Sequence, residues 1–62
     1  MSEIWEIYYR DGRIEQVECR EAPSEIKTLA DQRVIAVQVV PVAGEPYAVR
    51  VTDAYRFKKL VP

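Results

Sequence analysis

The chain has 62 residues, 48% of them hydrophobic, and carries 9 Lys+Arg against 10 Asp+Glu for a net charge of −1. That length makes residues 1–62 one small domain and leaves no room for separate catalytic and binding domains. The charge balance excludes a strongly basic nucleic-acid coat, the apolar content argues against disorder, and a single cysteine with no histidine excludes disulfide frameworks and Cys/His zinc sites.

No apolar run approaches the ~18 residues that a membrane helix needs. The longest, residues 34–42, is interrupted by Gln38. The opening Met1-Ser2-Glu3 lacks the basic start and apolar stretch of a signal peptide. The lone thiol, Cys19, fits a reducing cytoplasm and reads as a small buried hydrophobe. Val and Ile together number 14 and Leu only 2. β-branched side chains lose rotamer freedom in helices and pack well on pleated surfaces, so mostly β structure is expected.

Residues 3–10 read as a first strand and residues 13–20 as a second. Asp11-Gly12 between them is a strong hairpin signal. A two-residue loop would mix carboxylates with large apolar groups on both faces. A three-residue loop with Gly12 in a left-handed bulge sets Trp5 opposite Val17. It gathers Trp5, Ile7, Tyr9, Val17 and Cys19 on one face, and Ile4, Glu6, Tyr8, Ile14, Gln16 and Glu18 on the other. Burial fixes register, so the bulged loop is preferred.

Residues 21–31 read as the only helix. Pro23 suits its first turn, Ser24 is a rival N-cap, and Glu25 lies near the positive end of the helix dipole. Ile26, Leu29 and Ala30 form a buried stripe of barely two turns, which needs a sheet to lean on. Residues 34–42 read as a third strand with Ile35, Val37 and Val39 on one face, ended by Pro41. Residues 43–46 turn. Residues 47–51 form a fourth strand with Tyr47, Val49 and Val51 inward. Residues 55–61 allow a last strand or a short helix capped by Thr52, and the alternation of Tyr55 and Phe57 with Arg56 and Lys58 favours the strand. The expected fold is therefore α+β: a small antiparallel sheet of four to five strands with one short helix, in the order β-β-α-β-β.

No nucleophile–base set is visible. Ser2 and Ser24 have no plausible base, Cys19 has no histidine partner, and Gly12 and Gly44 make no phosphate loop. A non-enzymatic protein without cofactor or metal is expected. Charge is uneven along the chain. Residues 1–32 hold eight acids and four bases, a net −4, and residues 33–62 hold two acids and five bases, a net +3. Two surfaces follow. One is acidic and aromatic, with Glu6, Tyr8, Glu18, Glu21 and Glu25 as candidate protein contacts. The other is basic, with Arg50, Arg56, Lys58 and Lys59 as candidate nucleic-acid contacts. There Tyr55 and Phe57 fall opposite most of the bases and read as core. A self-associating structural subunit, pairing through exposed strand edges, is the third reading.

The opening Ile4-Trp5-Glu6-Ile7-Tyr8-Tyr9-Arg10-Asp11-Gly12-Arg13 resembles the start of many small phage and mobile-element proteins. Those run from a strand through a Y-R-D-G turn into a second strand. A Pro-led helix, a Val/Ile strand like residues 34–40 and an aromatic strand like Tyr55-Arg56-Phe57 follow. Small domains of this kind include anti-CRISPR proteins and other inhibitors of host defence. The resemblance implies a host protein complex as partner, a CRISPR effector subunit among the candidates, in the host cytoplasm, with no cofactor. Anti-CRISPR proteins share no common motif, so it carries over no functional residue.

Overall fold

The computed structural model describes residues 2–61 and is all-β among them. Six strands run in chain order: β1 Glu3–Tyr9, β2 Ile14–Cys19, β3 Ser24–Lys27, β4 Val34–Val39, β5 Tyr47–Arg50 and β6 Ala54–Val61. They form two three-stranded antiparallel sheets, ordered β2-β1-β6 and β3-β4-β5. This corrects the expected α+β fold: there is no helix among the described residues, and one sheet of four to five strands is replaced by two sheets of three.

The first hairpin follows its sequence closely. Trp5 lies opposite Val17 and Tyr8 opposite Ile14. Gly12 sits at φ +96°, and the Tyr9 N–H donates to the Arg13 carbonyl at 2.8 Å. This is the three-residue loop with a left-handed glycine. The Asp11 carboxylate accepts the Arg13 N–H at 2.9 Å, an Asx-type closure that tightens the turn.

The segment expected to be helical is instead β3 and a loop. β3 pairs with β4, setting Ser24 against Gln38, Glu25 against Val37 and Ile26 against Ala36. The Thr28 N–H then donates to the Arg33 carbonyl at 2.9 Å, and the Gln32 N–H to the Thr28 carbonyl at 3.1 Å. The Asp31 carboxylate accepts the Arg33 N–H at 3.0 Å and also contacts the Thr28 hydroxyl, while Gln32 takes φ 60°. The physical reason is the shortness of the stripe. A two-turn helix is marginal by itself, whereas pairing with β4 satisfies the backbone of residues 24–27 directly. Leu29, expected in the core, is 97% exposed at the loop tip, Ala30 is exposed, and only Ile26 is half-buried.

The core lies between the two sheets. Ile7, Cys19, Val39, Val49 and Ala54 are buried together, with Trp5, Tyr9, Val17 and Phe57 packed against them. Four of these nine come from β1 and β2 on the face predicted for burial, and Cys19 at the end of β2 makes a fifth. In the second sheet the alternation holds for Val39 and Val49. It fails at Ile35 and Tyr47, which stay exposed where the sheet ends. The sheets meet at a seam. Cys19 bridges Pro41, the Arg20 N–H donates to the Val40 carbonyl at 2.9 Å, and the Val42 N–H to the Glu18 carbonyl at 3.0 Å. A second tie, from the Arg10 N–H to the Asp53 carbonyl at 2.8 Å, joins the first hairpin to the β5–β6 turn.

Residues 54–61 are a strand, as the alternation favoured, but the strand carries a bulge. Tyr8 pairs with Arg56 and Tyr9 with Ala54, so Tyr55 is the extra residue. Ala54 takes the inward position and is 1% exposed, while Tyr55 is 57% exposed. The reading of Tyr55 as core is corrected by this shift; Phe57, opposite Ile7, keeps its place against the core.

A 62-residue domain at typical stability holds about 3–9 kcal/mol. Replacing wholly buried Ile7 with Ala costs about 2–5 kcal/mol and should bring the domain close to unfolding at room temperature. Leu29→Ala should change stability by less than about 0.5 kcal/mol. Urea titration of both variants checks this, and a large loss at Leu29 would restore the helical reading.

Candidate functional site

The outer face of the β2-β1-β6 sheet collects the chemistry that the sequence distributes over its two ends. Directly opposed residues on antiparallel strands share a face, so three rows can be read across it. Ile14, Tyr8 and Arg56 form one; Gln16, Glu6 and Lys58 the next; Glu18 and Ile4 begin the third. β1 lies between the acidic strand β2 and the basic strand β6, and the charges of the two halves of the chain interleave here.

The bulge completes the face. Displaced outward, the Tyr55 ring lies 6.2 Å from that of Tyr8, tilted by 56°. The Arg56 guanidinium sits 5.2 Å from the Tyr8 ring centroid, and that of Arg10 5.9 Å from the Tyr55 centroid. Both are within cation–π range. The Tyr8 hydroxyl donates to the Glu6 carboxylate at 2.7 Å. That bond, with some burial and the Glu6 charge, raises the Tyr8 pKa above the ordinary phenol value, and Arg56 pulls weakly the other way. Two rings, two guanidiniums and a carboxylate thus form one network on a solvated sheet face, with Ile14, 58% exposed, beside it.

The two predicted sets are divided by the fold. Of the acidic set, Glu6, Tyr8 and Glu18 share this face, and the Glu18 carboxylate accepts a hydrogen bond from the Ser2 hydroxyl at 2.9 Å. Glu21 lies in the bend between β2 and β3. Glu25 is on β3 in the other sheet, 4.0 Å from Lys27, and no helix dipole acts on it. Of the basic set, Arg56 and Lys58 share the face. Lys59 is opposite Trp5, on the other side of β6, with its ammonium 3.7 Å from the Glu3 carboxylate, which also accepts the Trp5 indole N–H at 2.8 Å. Arg50 is on β5, opposite Ala36. Sequence reasoning missed Arg10 and assigned Tyr55 to the core. The signal for Tyr55 was the small residue before it, since Ala54 fits a closed interior position that a tyrosine would overfill.

At the hairpin end, Tyr9, Arg10, Asp11, Arg13, Thr52 and Asp53 line an open cleft of about 400 Å³. Its floor is held firmly. The Tyr9 hydroxyl donates to Glu15 at 2.7 Å, and the Arg13 guanidinium stacks 4.1 Å from the Tyr9 ring while pairing with Asp11 at 3.3 Å. Burial first, then the bond to Glu15, pushes the Tyr9 pKa up to about 12. At the end of β2, burial followed by the nearby Glu3 charge pushes the Cys19 thiol up. A thiol so placed is a poor nucleophile.

Comparison with known proteins finds no matching family model, no matching curated protein and no matching solved structure. Among the described residues no helix is long and apolar enough to cross a membrane, and no group of three or more Cys, Asp or Glu is placed to hold a metal ion.

The raised Tyr9 pKa has a stability consequence. The folded state holds the Tyr9 proton more tightly than the unfolded chain, so this contribution is complete below the unfolded value near 10 and is lost as pH rises towards about 12. Tyr8 and Tyr47 shift in the same direction. Thermal melts should therefore fall steeply between pH 10 and 12, and Tyr9→Phe should fall less steeply over that window. Parallel curves for the two proteins would contradict the assignment.

Proposed function

We propose that the protein is a non-enzymatic binding module that docks on a protein partner through the outer face of β2-β1-β6. The observation that carries this reading is the Tyr8–Tyr55 pair with Arg10 and Arg56 set against the rings. Tyrosine and arginine are the residues most often found as anchors at protein interfaces, because each offers a large contact area with a polar tip. Here their rotamers are already restrained by one another and by the Glu6 bond, which lowers the ordering cost of binding. Glu6 beside Lys58 in the middle row, with Arg56 in the row on one side and Glu18 in the row on the other, suits a partner of mixed charge.

The residue inventory supports the non-enzymatic part. The chain has no histidine, and its one thiol is wholly buried with a raised pKa. The likeness of the opening hairpin to phage-encoded inhibitors supports a specific version, in which the module occupies a surface of a host complex, such as a CRISPR effector, in the host cytoplasm. In that version Glu6, Tyr8 and Glu18 are contacts, joined by Tyr55, Arg10 and Arg56.

The second reading is single-stranded nucleic acid, favoured by the same rings lying among Arg10, Arg56 and Lys58. Base stacking on aromatics with phosphate contacts to such cations is a known mode of binding. Glu6 and Glu18 on the same face oppose it, since they repel a phosphate backbone.

A tagged chain incubated with nuclease-treated bacterial lysate should retain a defined host complex. Tyr55→Ala and Arg56→Ala should each lower retention by about tenfold, while Glu25→Ala, on the other sheet, should not. Retention unaffected by Tyr55→Ala would contradict the docking face. Capture that needs intact nucleic acid, with an affinity for oligonucleotide that falls steeply with salt, would select the second reading.

A further inference from the structure

β6 is the longest strand, eight residues, and it is hydrogen-bonded on one side only, to β1. The other edge strands are shorter or partly engaged. β3 and β5 have four residues each, and β2 is tied at its end into the seam with Pro41. An exposed edge of this length presents a row of unpaired N–H and C=O groups, a ready template for one more strand.

The side chains of β6 define what that strand is. Residues 54–61 hold Arg56, Lys58 and Lys59 and no acid. A second copy is disfavoured by register arithmetic. Two copies related by a two-fold axis perpendicular to the sheet centre their pairing on one residue. Centring on Arg56, Lys58 or Lys59 sets that cation against its own copy, and centring on Phe57 sets Arg56 against Lys58; centring on Tyr55 or Leu60 avoids such a pair but leaves only the three residues at one end of β6 opposite their copies. Like charges directly opposite one another destabilise a sheet. A strand bearing acids at alternate positions meets the opposite situation. Glu6 already lies opposite Lys58 from the β1 side, so an acid from the outer side would extend the row as acid, base, acid. Arg56 is restrained over the Tyr8 ring, and Tyr55 and Leu60 are exposed for apolar contact near the two ends of the strand.

We infer that the free edge of β6 accepts an extended acidic segment of a partner protein as a seventh strand, with carboxylates at alternate positions against Arg56 and Lys58. This rests on the protein-docking reading and specifies how the partner engages. Backbone pairing supplies affinity, and the cation pattern supplies selectivity.

The test uses the full chain, isotope-labelled for NMR, and two capped eight-residue peptides, one alternating Glu with Val and the other Lys with Val. The Glu peptide should slow hydrogen exchange at alternate backbone amides of β6, and the Lys peptide should not. Lys58→Glu should weaken the Glu peptide by about tenfold, and Lys58→Gln, which removes the charge without reversing it, by less. Equal protection by both peptides, or no protection of β6 at saturating Glu peptide, would overturn strand addition. Shift changes confined to Tyr8, Tyr55 and Arg10 without protection of β6 would also overturn it, while leaving the outer-face docking reading intact.

Discussion

The structure depends on the seam at the end of β2. Cys19 is wholly buried there, bridged to Pro41, and its neighbours exchange backbone hydrogen bonds with Val40 and Val42. A single three-stranded sheet of this length could cover only one side of Ile7. By turning at residues 20–23 the chain leaves the first sheet and starts the second, and Val39 and Val49 then close over Ile7 and Ala54. A chain so small has little core to spare. The seam converts two weak layers into one enclosed interior and forces the outer face of β2-β1-β6 towards solvent.

That arrangement changes what the charges mean. Along the chain the acids and bases look segregated, which suggests two surfaces with two partners. In space, β6 returns to pair with β1, and the basic end lies beside the acidic start. Glu6 faces Lys58, and Tyr8 faces Arg56. One face of mixed charge with two rings replaces an acidic patch and a basic one. The bulge at Tyr55 decides the aromatic content of that face. Without it, regular alternation would turn Tyr55 inward and leave Tyr8 with no ring beside it.

The first hairpin was legible because several local signals agreed. Asp11-Gly12 fixed the turn, and only one register left a nearly clean face, with Glu3 and Glu15 as its only carboxylates. The last strand was legible from its alternation, although the bulge was not, since Tyr55, Arg56, Phe57 and Lys58 alternate regularly and only the small Ala54 before them marks the shift. The stretch from Pro23 to Asp31 misled for a definite reason. Ile26, Leu29 and Ala30 have helical spacing, and Pro23, Ser24 and Glu25 are good helix starters, but two turns of helix gain less than pairing with β4 does. Local propensity lost to a tertiary partner that the segment itself does not reveal. The candidate face was half legible for the same reason. Glu6, Tyr8 and Glu18 follow from the hairpin register, whereas Arg10 and Tyr55 reach the face only through the tie to Asp53 and the bulge.

A two-sheet closure, with residues 24–27 as a strand, sets up the outer face. Backbone NMR of the labelled protein at neutral pH tests it most directly. Cross-strand contacts between Ser24 and Gln38, strand-type shifts through Lys27, and slow exchange at the Arg20 and Val42 amides are the expected result. Sequential helical contacts over residues 24–31, with fast exchange at Arg20 and Val42, would contradict it.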